Sequence, residues 1–172
     1  MLKALNKTNL IALALIAATS AIPAQALEGE PATQFVLEGL DKVHVTVGPM
    51  KDFGLDRAAI QKAVEEKFEK SGMKTISKKQ FLNDTTINQF LVTVKPLKDR
   101  QKTFYSLNLG LTEMVFLEDK ADRKISITAW QDQNLGVVNK KEENSLQKRI
   151  MERVDSFIDL WQRANGKEKI KS

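Results

Sequence analysis

A chain of 172 residues with 27 Lys+Arg, 22 Asp+Glu, one His and no Cys carries a thin inventory for chemistry. Without Cys there is no disulfide and no thioether-linked lipid, and one imidazole leaves a zinc site short of its nitrogen and sulfur ligands. The formal charge of +5 is not gathered on a basic face interleaved with aromatics, so a nucleic-acid partner is not expected.

In chain order, residues 1–26 read as a cleaved signal peptide. Lys3 and Lys7 form a positive start, Leu10 to Ala18 an apolar run, and Pro23 with Ala24-Gln25-Ala26 a small-x-small cleavage site. The run is about half of the roughly 20 residues needed to span a bilayer, so no integral membrane segment is expected in a mature chain starting at Leu27. Lys3 and Lys7 are the only charges in that segment, and removing them takes the net charge from +5 to +3. The expected location is the periplasm or the medium outside a bacterial cell. The remaining 146 or so residues suffice for one domain with a sizeable core.

Residues 27–38 form a lead-in, loosened by Gly29 and Pro31, in which Phe35-Val36-Leu37 has the composition to begin strand pairing. Residues 39–166 are expected to be a single domain. Val43, Val45 and Val47 alternate with Lys42, His44 and Thr46, the period of a half-buried strand that ends at Gly48-Pro49. Asp56 is a suitable N-cap for a helix whose Ala59, Ile60, Ala63, Val64 and Phe68 recur at helical spacing up to Gly72. Met73 to Ile76 is a short strand, and Ser77-Lys78-Lys79-Gln80 is a capping box that predicts a brief helical turn carrying Phe81 and Leu82. Phe90, Val92 and Val94 mark a strand that Pro96 should stop. Tyr105, Leu107, Leu109 and Leu111 alternate with Phe104, Ser106, Asn108 and Gly110. After a turn at Glu118 to Asp122, Ile125, Ile127 and Ala129 should face inward, with Ser126, Thr128 and Trp130 outward. Asn144 and Gln147 cap a long helix whose stripe is Leu146, Ile150, Val154, Phe157, Ile158 and Trp161, stopped by Asn165-Gly166. Residues 167–172 are a basic tail expected to be disordered.

This order, β-α-β-β-β-β-α, implies an α+β two-layer sandwich: about five mostly antiparallel strands with two main helices on one face. The other face then presents His44, Thr46, Asn108, Thr128 and their hydroxyl-bearing neighbours to solvent. Trp130 falls on that polar parity, beside Gln131-Asp132-Gln133-Asn134 and a Leu135-Gly136 turn, as a binding lip would; the equal alternative is that it wraps around the sheet edge or that a bulge turns it inward. His44, Thr46, Asn108, Thr128, Trp130 and Asp132 are accordingly the candidate binding residues.

Catalytic signatures are weaker. Asp52-Phe53-Gly54 matches a kinase triplet, but no glycine-rich loop or catalytic-loop motif accompanies it. Glu118, Asp119 and Asp122 could offer oxygens to Ca²⁺, yet Lys120, Arg123 and Lys124 neutralise them and EF-hand spacing is missing. No G-x-S-x-G elbow exists, and a Ser-His-Asp set would have only His44. A carboxylate pair for hydrolysis can come from anywhere in a chain, with Glu113 and Asp132 as examples near strand ends. No cofactor or metal is called for.

Five segments resemble a family of small uncharacterised exported bacterial proteins: Val43-His44-Val45-Thr46-Val47, Tyr105-Ser106-Leu107-Asn108-Leu109, Thr128-Ala129-Trp130, Leu135-Gly136-Val137-Val138, and Val154-Asp155-Ser156-Phe157-Ile158 leading to Asn165. The resemblance implies export and a helix-backed sheet, and it lends no catalytic residues. The resulting expectation is a non-enzymatic binding module with a protein partner in the envelope or outside the cell. The rival is a carboxylate-dependent hydrolase acting on an envelope or extracellular substrate.

Overall fold

The computed structural model describes residues 30–84, 86–98, 103–117, 120–138 and 143–167. The chain packs as two units, Met1–Ala32 and Thr33–Ser172. Of the first unit only residues 30–32 are described.

The elements run α1 (Glu30–Leu37), β1 (Lys42–Val47), a 3₁₀ turn (Lys51–Phe53), α2 (Arg57–Ser71), β2 (Lys74–Thr75), α3 (Lys78–Asn83), β3 (Asn88–Lys98), β4 (Thr103–Leu117), β5 (Lys120–Val138) and α4 (Glu143–Ala164). The strands form one open sheet in the order β2-β1-β3-β4-β5. The fold is therefore α+β, with a mixed sheet. β1 runs parallel to both of its neighbours, and only β3, β4 and β5 make the antiparallel meander. The parallel pairs follow from the two connections: α2 carries the chain from β1 back to β2, and α3 carries it back to β3.

Local chemistry explains most element ends. The Asp56 carboxylate accepts from the amides of Ala58 and Ala59, and α2 stops at Gly72, whose φ of 90° suits only glycine. At α3, the Gln80 amide donates to Ser77 Oγ at 3.3 Å while the Ser77 amide donates back to Gln80 Oε1 at 3.1 Å, the expected capping box. At α4 the Asn144 side chain lies outside the described residues. Its C-terminal end is held by Asn165, which accepts from the Gly39 amide and donates to the carbonyls of Leu37 and Trp161. The Trp161 Nε1 donates to the Leu40 carbonyl at 2.6 Å, so the last turn of α4 is fastened to the α1–β1 connection.

The core lies between one sheet face and the pair α2–α4. Val43, Val45 and Val47, Phe90, Val92 and Val94, and Tyr105, Leu107, Leu109 and Leu111 meet Ile60, Val64 and Phe68 of α2 and the whole α4 stripe. Its middle is aromatic: the Phe157 ring lies 4.7 Å from Phe90, 4.8 Å from Trp130 and 5.8 Å from Phe68. Gly136 makes room for one more ring. A Cβ there would stand 2.3 Å from Tyr105 Cζ, so the buried phenol occupies the volume a side chain would need.

Four expectations need correction. Residues 30–37 form a helix, not a pairing segment, and Leu37 joins the core. Pro96 does not stop β3 but pairs with Tyr105 inside it; β1 has ended at Val47, opposite Val92, so that side of β3 has no ladder bond to lose at Pro96. The 131–138 stretch is no glycine turn, because β5 continues through it to Val138. Finally, the ladder shifts between Leu111 and Thr112, opposite Thr128 to Trp130. The extra residue of this bulge reverses the parity of β5, which turns Trp130 inward while Ile125 and Ile127 stay 43% and 39% exposed. The turn at 118–119 and the tail beyond Lys167 lie outside the described residues, as do the side chains of Asp122 and Arg123. Lys167 itself rests its ammonium over the Trp161 ring at 4.4 Å.

Candidate functional site

The outer sheet face is built by the residues that alternate with the core positions. On it, Gln89 Nε2 donates to Thr46 Oγ1 at 2.7 Å, and Asn108 Nδ2 and Gln133 Nε2 both donate to Ser106 Oγ, at 3.1 and 3.2 Å. Gln131 Nε2 reaches Asn108 Oδ1 at 3.5 Å. These amides and hydroxyls therefore form two cross-strand patches, one tying β1 to β3 and the other β4 to β5. Thr46, Asn108 and Thr128 sit on this face as expected.

His44 faces the same way but is 6% exposed. The Phe81 ring of α3 stacks on it with centroids 4.7 Å apart, and His44 Nδ1 donates to the Ile76 carbonyl at 2.8 Å. A carbonyl can only accept, so in the neutral ring Nε2 carries the lone pair. The imidazole is thus a covered anchor for the β2–α3 connection rather than part of an open polar face. Reading β1 alone cannot reveal this, because the cover comes from the capping-box helix thirty-odd residues on.

Trp130 and Asp132 are on the opposite, helix-facing side. Trp130 packs on Phe157 and Phe90, and Asp132 pairs with Arg153 of α4 at 3.4 Å. The six candidate residues therefore divide between the two faces and are not brought together at one point. Glu113 and Asp132 are also apart. Their β4 register partners differ by four residues, since Asp132 pairs with Leu109 and Glu113 itself belongs to β4. At about 3.3 Å per residue their backbones lie roughly 13 Å apart along the strand, and the Asp132 carboxylate is already held by Arg153.

The feature that sequence reading missed is the far edge of the sheet. β5 is 19 residues long and, among the described residues, has β4 as its single strand neighbour. The β3–β4 ladder ends at Gln89↔Thr112, whereas β4 and β5 stay paired to Leu117↔Lys120, so the hairpin projects past the sheet as a two-stranded ribbon. At the other end of the outer face the register aligns Leu97, Phe104 and Val137 in one row, with Leu135 beside it at 66% exposure. Between β5 and α4 runs an open groove of about 400 Å³ lined by Asn134, Ser145, Lys148, Arg149, Glu152 and Arg153. The length of the alternating run from Lys124 to Val138 was the available sign of such an edge.

A second hollow, of about 340 Å³, lies near Gly39, Asp41, Thr86 and Glu113. Close to it the Asp84 carboxylate accepts from the Thr86 hydroxyl and amide, and Lys42 stands 3.6 Å away. The Thr86 hydrogen bonds first, and the Lys42 charge after them, hold the Asp84 carboxyl below its ordinary value. Among the described residues no group of three or more His, Cys, Asp and Glu side chains converges to hold a metal.

No protein-family model and no curated protein matches the chain, so the family resemblance rests on its quoted motifs. A crystal structure of a minor lipoprotein from Acinetobacter baumannii is similar over 72% of this chain and 88% of that one, at 13% identity and a TM-score of 0.24. An overlap so loose fixes neither fold nor function.

Proposed function

We propose that this chain is exported and works in a bacterial envelope, or just outside it, as a non-enzymatic module that binds another protein. The observation that carries the reading is β5, a 19-residue edge strand with Leu135 and Val137 exposed toward one end and Ile125 and Ile127 toward the other. An open row of backbone donors and acceptors is a template for pairing, and natural sheets usually shorten, charge or cover such edges. Here the outer-face positions in the middle of the strand are Gln131 and Gln133, which hydrogen-bond without repelling a neighbour, and the Asp132 carboxylate between them is held by Arg153. Export rests on the signal-peptide pattern of residues 1–26. In addition, no helix among the described residues is long and apolar enough to cross a membrane.

Affinity capture of the natively expressed, purified protein from its own envelope fraction, with mass spectrometry of what co-elutes, tests the module. One stoichiometric protein is expected. Recovery of none at physiological salt would reject it. N-terminal sequencing of the native protein should begin at Leu27; a chain still starting at Met1 would reject export.

A further inference from the structure

We infer that the groove between β5 and α4 takes an extended segment of a partner protein as a sixth strand, one with acidic side chains at alternate positions. The inference rests on the module reading above and names its site and the chemistry of its ligand.

A strand added to β5 lies about 4.8 Å beyond it and continues the pleat, so its side chains alternate between the two sheet faces. Each face of β5 offers a different environment. On the outer face the added strand meets Gln131, Gln133, Leu135 and Val137, with Leu97 and Phe104 further in. On the other face it runs beside α4, where Lys148, Arg149 and Arg153 line the groove. Two of these cations already have carboxylates: Arg153 has Asp132 at 3.4 Å and Lys148 has Glu152 at 3.9 Å. Arg149 is exposed and has no such partner among the described residues. Among the described residues the groove therefore holds three cations against two acids, which leaves one guanidinium to grip a carboxylate in two parallel hydrogen bonds.

The same charges argue against a second copy as the occupant. Pairing two β5 strands about a two-fold axis would place two α4 helices along one seam, with Lys148 and Arg149 of each copy facing like charge. The α4-side positions of the incoming β5 would supply one carboxylate, Asp132, which Arg153 already holds. A foreign strand carrying Glu or Asp toward α4 and β-branched or apolar residues toward Leu135 and Val137 satisfies both faces.

The test uses the mature protein beginning at Leu27 and three fluorescein-labelled octapeptides: alternating glutamate and valine, alternating lysine and valine, and the glutamate–valine peptide N-methylated at every second residue. Fluorescence anisotropy should show the glutamate–valine peptide binding at least about tenfold more tightly than the lysine–valine one, because like charge across an interface is strongly unfavourable. N-methylation removes ladder hydrogen bonds and should weaken binding by a similar factor. Arg149→Glu should cost about tenfold while leaving the melting temperature unchanged, since that side chain is exposed. No saturable binding of the glutamate–valine peptide would overturn the inference, as would equal binding of the lysine–valine peptide. Binding that survives N-methylation would show a site for anions in general and would overturn it too. The capture experiment answers for the module and the peptide series for the groove, so either can fail alone.

Discussion

Replacing Phe157 by Ala probes the packing on which everything else stands. The side chain is fully buried at the point where α4 meets the sheet, with three aromatic rings within 6 Å. Truncating a buried Phe costs about 3–5 kcal/mol through lost transfer free energy and the cavity left behind. Each aromatic pair adds about 0.5–1.5 kcal/mol beyond area, and rigid neighbours on β3, β5 and α2 leave the hole little scope to close. The upper end, about 4–5 kcal/mol, is therefore expected, a large part of a typical domain stability of about 5–15 kcal/mol. Urea unfolding followed by circular dichroism should show the midpoint fall while the slope is unchanged. Asp159→Ala, on the exposed side of the same helix turn, should stay within about 0.5 kcal/mol of wild type. A Phe157→Ala loss below about 1 kcal/mol would refute the docking of α4 on this sheet and would point to a helix held by something other than the core.

Gly136→Ala should destabilise by about 1–3 kcal/mol, because its Cβ meets the buried Tyr105 ring; combining it with Tyr105→Leu should recover most of the loss in a double-mutant cycle. Trp161→Phe keeps an aromatic ring but gives up buried volume and strands the Leu40 carbonyl, and thermal unfolding should report a loss of at least about 1–3 kcal/mol. Asp84 titrates below its ordinary value in the folded chain, so its contribution is present above the unfolded value of about 4 and fades as pH falls through the lower folded value. Thr86→Val removes the largest cause, and an NMR titration should find the Asp84 carboxyl moved up toward the ordinary value.

The parts of this fold that sequence makes legible are those whose signal is local. The valines of β1, the Asp56 and Ser77 caps, the Gly72 stop and the α4 stripe each declare themselves within a few residues. What escaped depends on partners far along the chain. Nothing in the β1 segment says that its neighbours run parallel; that is decided by how α2 and α3 return the chain. Trp130 looks outward by counting from Ile125, and the bulge opposite Leu111 and Thr112 turns it inward. The same shift takes Asp132 off the polar face and gives it to Arg153. His44 looks exposed until Phe81 covers it. The amide and hydroxyl patches of Thr46, Ser106 and Asn108 were readable, because simple alternation holds from β1 through the middle of β4. The edge of β5 showed only in the length of its run, since which strand lies outermost is a property of strand order.

If β5 is the contact edge of an exported binding module, site-specific photo-crosslinking in the native cell should trap its partner there. A photoreactive side chain at Gln133, in the middle of that edge, is compared with one at Asp159, on the exposed side of α4. One discrete envelope-protein adduct is expected from position 133 and none from 159. Equal labelling from both positions, or no adduct from 133 in cells that export the protein normally, would contradict that role for β5.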